Sequence, residues 1–472
     1  MTEPSKAKPT KTTATTRRKF LHTTTAATTA AALSPATHAF AASSDTMKVA
    51  VIGTGGRGSG AIVQNLKNEG TEFVSVAEAF KDRLDDGLEK IAKAHKGAGK
   101  INVSEQNKFV GLDAYKEAID KADVVILTTP PGLRPMMFEE AIKQGKHVFM
   151  EKPVCTDAPG YRKVIAAAKE ADANNLKVVV GLQRRYQDSY IQAQDEVQNG
   201  AIGDLVGAHC YWNSGGVWTR PRAAVAEALG REPTEMEYQL YNWYYFTWIC
   251  GDHIAEQHIH NIDIVNWFKG GHPVKARGVG GRQVRTDKEN GQIYDHHNVE
   301  FYFDDGMINN SQCKHMPGWG RVAEKLIGTK GRVEMDNKGG AIFYDHKGNM
   351  VKRIKNDVTR NPYDVEHAEL YKHIRQDTPK NDAYYGADSS MTCVLGRMCT
   401  YSGKEITWDD AVEKGVQLVP DSLSSYDENP PVMPDADGNY PVAKPGEYLA
   451  LQGDAPQPAK GAKNNKKKTK KA

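Results

Sequence analysis

Paired cysteines are missing from this sequence. Its six cysteines, at positions 155, 210, 250, 313, 393 and 399 of 472, are scattered and form no C-x-x-C pair. A small stapled scaffold and a cysteine zinc site are thereby excluded, and buried free thiols are expected. No apolar run approaches the roughly 18–20 residues that span a bilayer, which excludes a polytopic membrane protein. The 43 glycines follow no Gly-X-Y period, so the chain is no collagen-like rod. Neither sign of charge dominates: 62 Lys and Arg stand against 59 Asp and Glu, for a net +3. That balance hides a division. Residues 1–42 carry +5 and residues 456–472 carry +7, which leaves −9 for 43–455. An acidic body does not fit a nucleic-acid-binding core. The length is enough for two or three domains with a large core.

The two basic ends read differently. Thr16-Arg17-Arg18-Lys19-Phe20-Leu21 resembles a twin-arginine export motif. A Thr/Ala stretch over 23–33 follows, and Ala39-Phe40-Ala41 fits a cleavage site. Residues 1–42 are therefore expected to be a signal peptide that sends the folded chain to the periplasm. From about Pro430 the chain is rich in Pro, Gly, Asp and Ala and then in Lys. Residues 430–472 are expected to be a disordered tail.

What is present in the first half is a nucleotide-site pattern. Lys48 to Gly53 is an apolar run rich in β-branched residues, read as a buried strand. Gly53-Thr54-Gly55-Gly56-Arg57-Gly58 follows, and a helical pattern runs from Ala61 to Asn68. A G-x-G-x-x-G between a strand and a helix fits a dinucleotide site. Gly53 permits the tight turn, Gly55 lets the backbone approach the pyrophosphate, and Gly58 lets helix and strand pack. The helix N-terminus offers free N–H groups to phosphate. A second strand ends at Glu78, placed to bind the ribose hydroxyls and repel a 2′-phosphate, so NAD is expected over NADP. Arg57 and Arg83 keep NADP open. Further alternation of strands and helices predicts a parallel doubly wound sheet. Thr129, Pro130, Glu151 and Lys152 fall at strand carboxyl ends, where ligands bind.

These pieces resemble the glucose–fructose oxidoreductase/inositol dehydrogenase (Gfo/Idh/MocA) family. The glycine loop, Thr129-Pro130, Glu151-Lys152-Pro153 and a later His-x-x-Asp occur in the family's order, over about residues 47–415. The resemblance implies an N-terminal Rossmann domain, 47–182, and a C-terminal domain, 183–415, built on a mostly antiparallel sheet. Helices near 364–402 would pack back on the first domain. It implies that Lys152 reaches the substrate hydroxyl and the nicotinamide ribose, and that the Lys152–Pro153 bond is cis. Where the family commonly has a His after Thr-Pro, this chain has Pro131-Gly132-Leu133-Arg134.

The second half carries the substrate side. Arg184 and Arg185 at the domain junction are candidates for a substrate anion or for sugar hydroxyls; pairing with acids at the domain interface is the alternative. Strands recur near 273–286, 297–304, 307–314, 324–335 and 341–353, with turns at Asp304-Asp305-Gly306 and Gly328-Thr329-Lys330-Gly331. One face of this sheet is expected to open towards the first domain. Tyr241 to Trp248 is densely aromatic, and Tyr244 within it is a candidate for stacking on a sugar ring. A helical pattern over 254–267 puts Glu256 and His260 on one face, with Asp263 placed to orient His260 and His258 on another side. The family's Asp-x-Gly-x-His-x-x-Asp maps to Glu256, His258, His260 and Asp263, with Glu for Asp and His for Gly as departures. The catalytic set is thus Lys152, His260 and Glu256; Arg184, Arg185, Tyr244, His258 and Asp263 face substrate. His253, His258 and His260 also make a metal half-site, with His296 and His297 as candidates for a second half; no matched half is seen, and no metal is expected.

The reading that results is an exported NAD(P)-dependent oxidoreductase acting on a carbohydrate or polyol hydroxyl, with tightly bound cofactor. A redox-neutral NAD-dependent glycoside hydrolase and a non-catalytic sugar-binding protein are the alternatives. A homo-oligomer is expected, with no nucleic-acid partner and no membrane insertion.

Overall fold

The computed structural model describes residues 46–456, except 96–98, 337 and 339. The signal-peptide reading of 1–42 and the lysines beyond 456 lie outside the described residues.

The first sheet is built from β1 (Met47–Ile52), β2 (Thr71–Glu78), β3 (Lys108–Val110), β4 (Val124–Leu127), β5 (His147–Met150) and β6 (Val178–Val180). All are parallel, in the order β3-β2-β1-β4-β5-β6. The order reverses at β1, which places the ligand crevice beyond the carboxyl ends of β1 and β4. Helices α1 (Gly56–Asn65), α2 (Lys81–Ala94), α3 (Tyr115–Asp120), α4 (Arg134–Lys143) and α5 (Ala158–Ala173) connect the strands. The strands are apolar on both faces because both are covered. Val49, Val51, Ile126 and Phe149 share one core with Ile62 of α1, while Ile52, Leu127 and Met150 enter another with Phe138 of α4.

The chain then forms α6 (Asp188–Gln198), the long strand β7 (Leu205–Ser214), and five short to medium helices. These are α7 (Arg222–Leu229), α8 (Glu235–Tyr241), α9 (Thr247–Cys250), α10 (His253–Glu256) and α11 (Ile259–Lys269). Thr234 and Glu237 form a reciprocal capping box that fixes the start of α8. Seven strands follow: β8 (Lys275–Gly281), β9 (His296–Tyr302), β10 (Ile308–His315), β11 (Arg321–Gly328), β12 (Gly331–Asp336), β13 (Gly340–Asp345) and β14 (Met350–Ile354). After α12 (Pro362–Arg375) and α13 (Ala383–Ser402), β15 (Ile406–Thr407) and α14 (Trp408–Lys414) end the regular structure. The second sheet runs β14-β13-β12-β11-β7-β10-β9-β8-β15. It is antiparallel except where β10 joins β7 in parallel. The glycine turns at 304–306 and 328–331 split the apolar runs into separate strands; Gly306 sits at φ 89° in the first.

Two expectations are corrected here. The sheet does not open towards the first domain. Its apolar face, with Cys210, Val299, Phe301 and Cys313, is covered by α10, α11 and α13. The opposite face is polar and half-exposed, with Arg277 paired to Glu300 and Arg321 over Tyr211. Residues 430–456 are also not a disordered tail. Gln239 donates to Val432 O at 2.7 Å, Tyr440 hydroxyl donates to Glu235 at 2.5 Å, and Ala450 is fully buried. Tyr440, Tyr448 and Leu451 give this irregular segment enough apolar surface to pack where its overall composition argued against it.

Candidate functional site

The cleft starts at the glycine loop. Gly53 closes β1 at φ 92°, a conformation that favours glycine. A Cβ on Gly58 would strike the Gly53 carbonyl, so only glycine lets α1 lie this close to the strand. Gly55 and Gly56 face open space, and α1 has no side-chain cap. Its first N–H groups are therefore free for an anion. Glu78 lies beside them. Its Oε2 accepts from Thr54 N at 2.7 Å and its Oε1 from Ala79 N at 2.7 Å. Burial nonetheless pushes its carboxyl above the ordinary range. The crevice fits a dinucleotide: free N–H groups at one end, an acid at the next strand, and a volume of about 510 Å³.

Lys152 stands at the end of β5, and the Lys152–Pro153 bond is cis. Its ammonium donates to Glu256 O at 2.7 Å and to Glu256 Oε1 at 3.1 Å. The two side chains are 13% and 16% exposed, enough to be reached from the cleft. Glu256 ends α10, and its carboxyl is pushed up mainly by burial. The helix predicted over 254–267 breaks at Gln257 and His258, so Glu256 and His260 belong to different helices. Both still line the cleft with Lys152. Burial, reinforced by the Lys152 charge, holds the His260 imidazole well below its usual pKa, and its Nδ1 has no hydrogen-bond partner. Thr129, Pro130, Glu151 and Arg57 line the same cleft. Arg57 is drawn onto Glu151 and donates to Gln64 at 2.7 Å. Arg134 opens α4, shortly after Thr129-Pro130. It is buried and donates to the carbonyls of Thr129 and Pro153, tying the two loops together.

Four residues expected to face substrate are turned elsewhere. Arg184 is buried on Glu324, and its Nη1 also reaches His260 O at 3.3 Å. Arg185 holds Asp263 through its Nε (2.9 Å) and Nη2 (2.8 Å). Asp263 is thereby committed to Arg185 and to Ser389 hydroxyl at 2.7 Å, so it does not orient His260. His258 points into the core, where its Nε2 lies 2.7 Å from Ser311 hydroxyl. In each case the partner comes from a distant part of the chain. Tyr244 is buried as well and stacks on His315.

Trp218, Arg220, Leu240, Tyr241 and Trp243 line the cleft beside Glu256 and His260. Trp218 and Arg220 were missed in the sequence, where they follow β7 in a loop without periodicity. Arg220 stacks on Trp218 at 4.9 Å. At the Glu78 to Arg83 end of the cleft, Phe80 packs on Tyr241 (4.1 Å) and, behind it, on Tyr426 (5.4 Å), whose hydroxyl donates to Ala79 O.

Residues 47–181 match the model of the Gfo/Idh/MocA oxidoreductase family, NAD-binding Rossmann fold. Inositol 2-dehydrogenase from Rubrobacter xylanophilus is 26% identical over 304 residues, covering 63% of this chain and 74% of that protein. Aldose-aldose oxidoreductase from Caulobacter crescentus, solved with glycerol, aligns at a TM-score of 0.60 and 18% identity, over 77% of this chain and 99% of that one. Scyllo-inositol dehydrogenase from Lactobacillus casei, solved with NAD(H) and scyllo-inositol, gives 0.56 and 18%, over 77% and 100%. The structural likenesses show a shared fold, a parallel sheet followed by a mostly antiparallel one.

Proposed function

We propose that this chain, whose first domain is an NAD-binding Rossmann domain of the Gfo/Idh/MocA oxidoreductase type, oxidises a hydroxyl of a sugar or polyol. The observation that carries this reading is the meeting of Lys152, Glu256 and His260 in the cleft that begins at the glycine loop. Bound NAD would supply the hydride acceptor. Lys152, anchored by Glu256, donates a hydrogen bond to the substrate oxygen. His260, kept neutral by burial, takes the hydroxyl proton at a ring nitrogen. Arg184 supports it by fixing the His260 carbonyl. A His260→Ala chain is expected to lose about 10²–10⁴-fold in kcat while still binding NAD, read by turnover and by cofactor absorbance.

The acid limb of kcat/KM should belong to Glu256. Its folded pKa is raised, so its carboxylate is lost as pH falls through a value above the ordinary 4.5. Lys152 then loses its anchor and the rate drops. His260 titrates well below 6.5 and adds no limb there. Glu256→Gln is expected to remove the limb and lower the plateau, measured across pH 4–8.

The packing of Tyr426 and Tyr241 on Phe80, next to Glu78, supports retention of NAD between turnovers. Tyr426→Ala should release cofactor on gel filtration more than tenfold faster than the native chain, followed by the 260/280 nm ratio. Export by the twin-arginine route to the periplasm is part of this proposal and rests on residues 16–41 alone. A retained cofactor has to be regenerated where it acts. Purified protein, without added NAD, is therefore expected to couple oxidation of one sugar to reduction of another. Cleavage of a glycoside instead would reassign it to redox-neutral hydrolysis, and saturable binding without turnover would make it a binding protein.

A further inference from the structure

The cations of the cleft are not all accounted for by the protein itself. Arg57 is paired with Glu151, Lys152 with Glu256, and Arg134 donates to two carbonyls. Arg83 Nε lies 3.8 Å from Asp82 Oδ2. Arg220 differs from these. Among the described residues its guanidinium makes no hydrogen bond and has no carboxylate within 4.0 Å; its one recorded side-chain contact is the Trp218 ring, 4.9 Å away.

The loop that carries it, residues 215–221 between β7 and α7, is fixed from outside the cleft. Val217 O accepts from Tyr245 hydroxyl at 3.0 Å and from Arg285 Nη2 at 3.1 Å. Arg220 N donates to Asn242 Oδ1 at 2.9 Å, and Asn242 is itself buried and donates to Glu289 O at 2.8 Å. The backbone polar groups are thus satisfied while the Trp218 and Arg220 side chains line the cleft.

The groups that act on the Arg220 charge place it along the cleft. Burial and the positive charge of Arg83 hold its guanidinium below the usual value, with Tyr241 and Asp82 acting the other way. Arg83 borders the glycine loop, since its carbonyl accepts from Thr54 hydroxyl at 3.0 Å. The acids of this end are already engaged. Glu78 accepts from Thr54 N and Ala79 N, and Asp82 Oδ1 accepts from Tyr241 hydroxyl at 2.6 Å. A half-buried guanidinium stays charged at neutral pH, and beside a second arginine with no acid to spare it calls for an anion. The anion that a dinucleotide brings to a glycine loop is a phosphoryl group, which the planar guanidinium matches with paired N–H donors.

We propose that Arg220 donates to a phosphoryl oxygen of the bound dinucleotide, so that the loop 215–221 holds the cofactor together with the glycine loop. The proposal rests on the reading of the cleft as a dinucleotide site and not on the oxidation of a sugar.

The test uses the full chain, stripped of copurified dinucleotide with charcoal, and no substrate. Quenching of tryptophan fluorescence gives the Kd for NAD and for NADP. Arg220→Gln is expected to raise Kd about 10–100-fold, and Arg220→Lys to recover part of the loss. Added salt should weaken binding to the native chain more steeply than to Arg220→Gln. An equal rise for both dinucleotides assigns the contact to the diphosphate, and a rise for NADP alone to the 2′-phosphate. The urea midpoint of Arg220→Gln is expected to stay at the native value, because no partner is stranded; should it fall, the Kd and salt dependence of Arg220→Lys decide. Native Kd values for both dinucleotides in Arg220→Gln overturn the proposal and leave the dinucleotide cleft standing. A native chain that binds neither dinucleotide overturns both.

Discussion

Replacing Lys152 by Met is expected to slow turnover by about 10²–10⁴-fold while leaving NAD bound. Met keeps the length and apolar stem of the side chain and removes only the ammonium. That ammonium is the group in the cleft held in place by two bonds to one residue, the carbonyl and carboxylate of Glu256. Without it, the substrate oxygen loses its charged donor just as negative charge develops on it. Glu256 also loses its counter-charge, and its carboxyl, already raised by burial, moves further towards the neutral form. Both effects act on kcat. Binding of NAD is expected to rest mainly on the glycine loop and Glu78 instead. The measurement is steady-state turnover of a panel of sugars and inositols beside cofactor content by absorbance. Retention of more than a tenth of the native rate would remove Lys152 from the reaction.

Replacing Glu324 by Leu is expected to destabilise the fold by about 3–5 kcal/mol, the cost of leaving one partner of a buried ion pair alone. Glu324 is a fully buried residue of β11 and accepts from three residues. Arg184 binds its Oε1, Asn261 Nδ2 reaches the same oxygen at 2.5 Å, and Tyr190 hydroxyl binds Oε2 at 3.0 Å. Leu satisfies none of them and strands the Arg184 guanidinium inside the domain junction. The loss should appear as a lower urea midpoint. A substrate role for Arg184 would give the opposite pattern, with Arg184→Met weakening KM at unchanged stability. Arg184→Met and Glu324→Leu are instead expected to cost similar stability, and the double variant to recover part of it, since neither charge is then left alone.

Much of the first domain is legible in a single sequence because its signals are local. A turn that only glycine can make, an acid at the end of the next strand, and Glu-Lys-Pro after β5 each depend on a few neighbouring residues. The alternating strand pairs of the second sheet are legible for the same reason, since Gly306, at φ 89°, marks where the chain reverses between β9 and β10. The aromatic run at 241–248 is visible too, but not the division of labour inside it. Tyr241 and Trp243 turn to the cleft and Tyr244 to the core, which depends on the short helices α8 and α9 and on His315 seventy-one residues along the chain.

The sequence by itself determined a parallel sheet followed by a mostly antiparallel one, with a dinucleotide loop and a lysine at the strand end beside it. Only the tertiary structure decided which charged residues remained free to act. Arg184, Arg185, His258 and Asp263 have the right chemistry for a substrate site, yet Glu324, Ser311 and Ser389 are brought in from 53 to 140 positions away to engage Arg184, His258 and Asp263. Side-chain periodicity assigns a face within one helix, and it fails where the helix breaks at Gln257. A buried charge takes the first partner that compensates it, and that partner is chosen by the packing of distant strands.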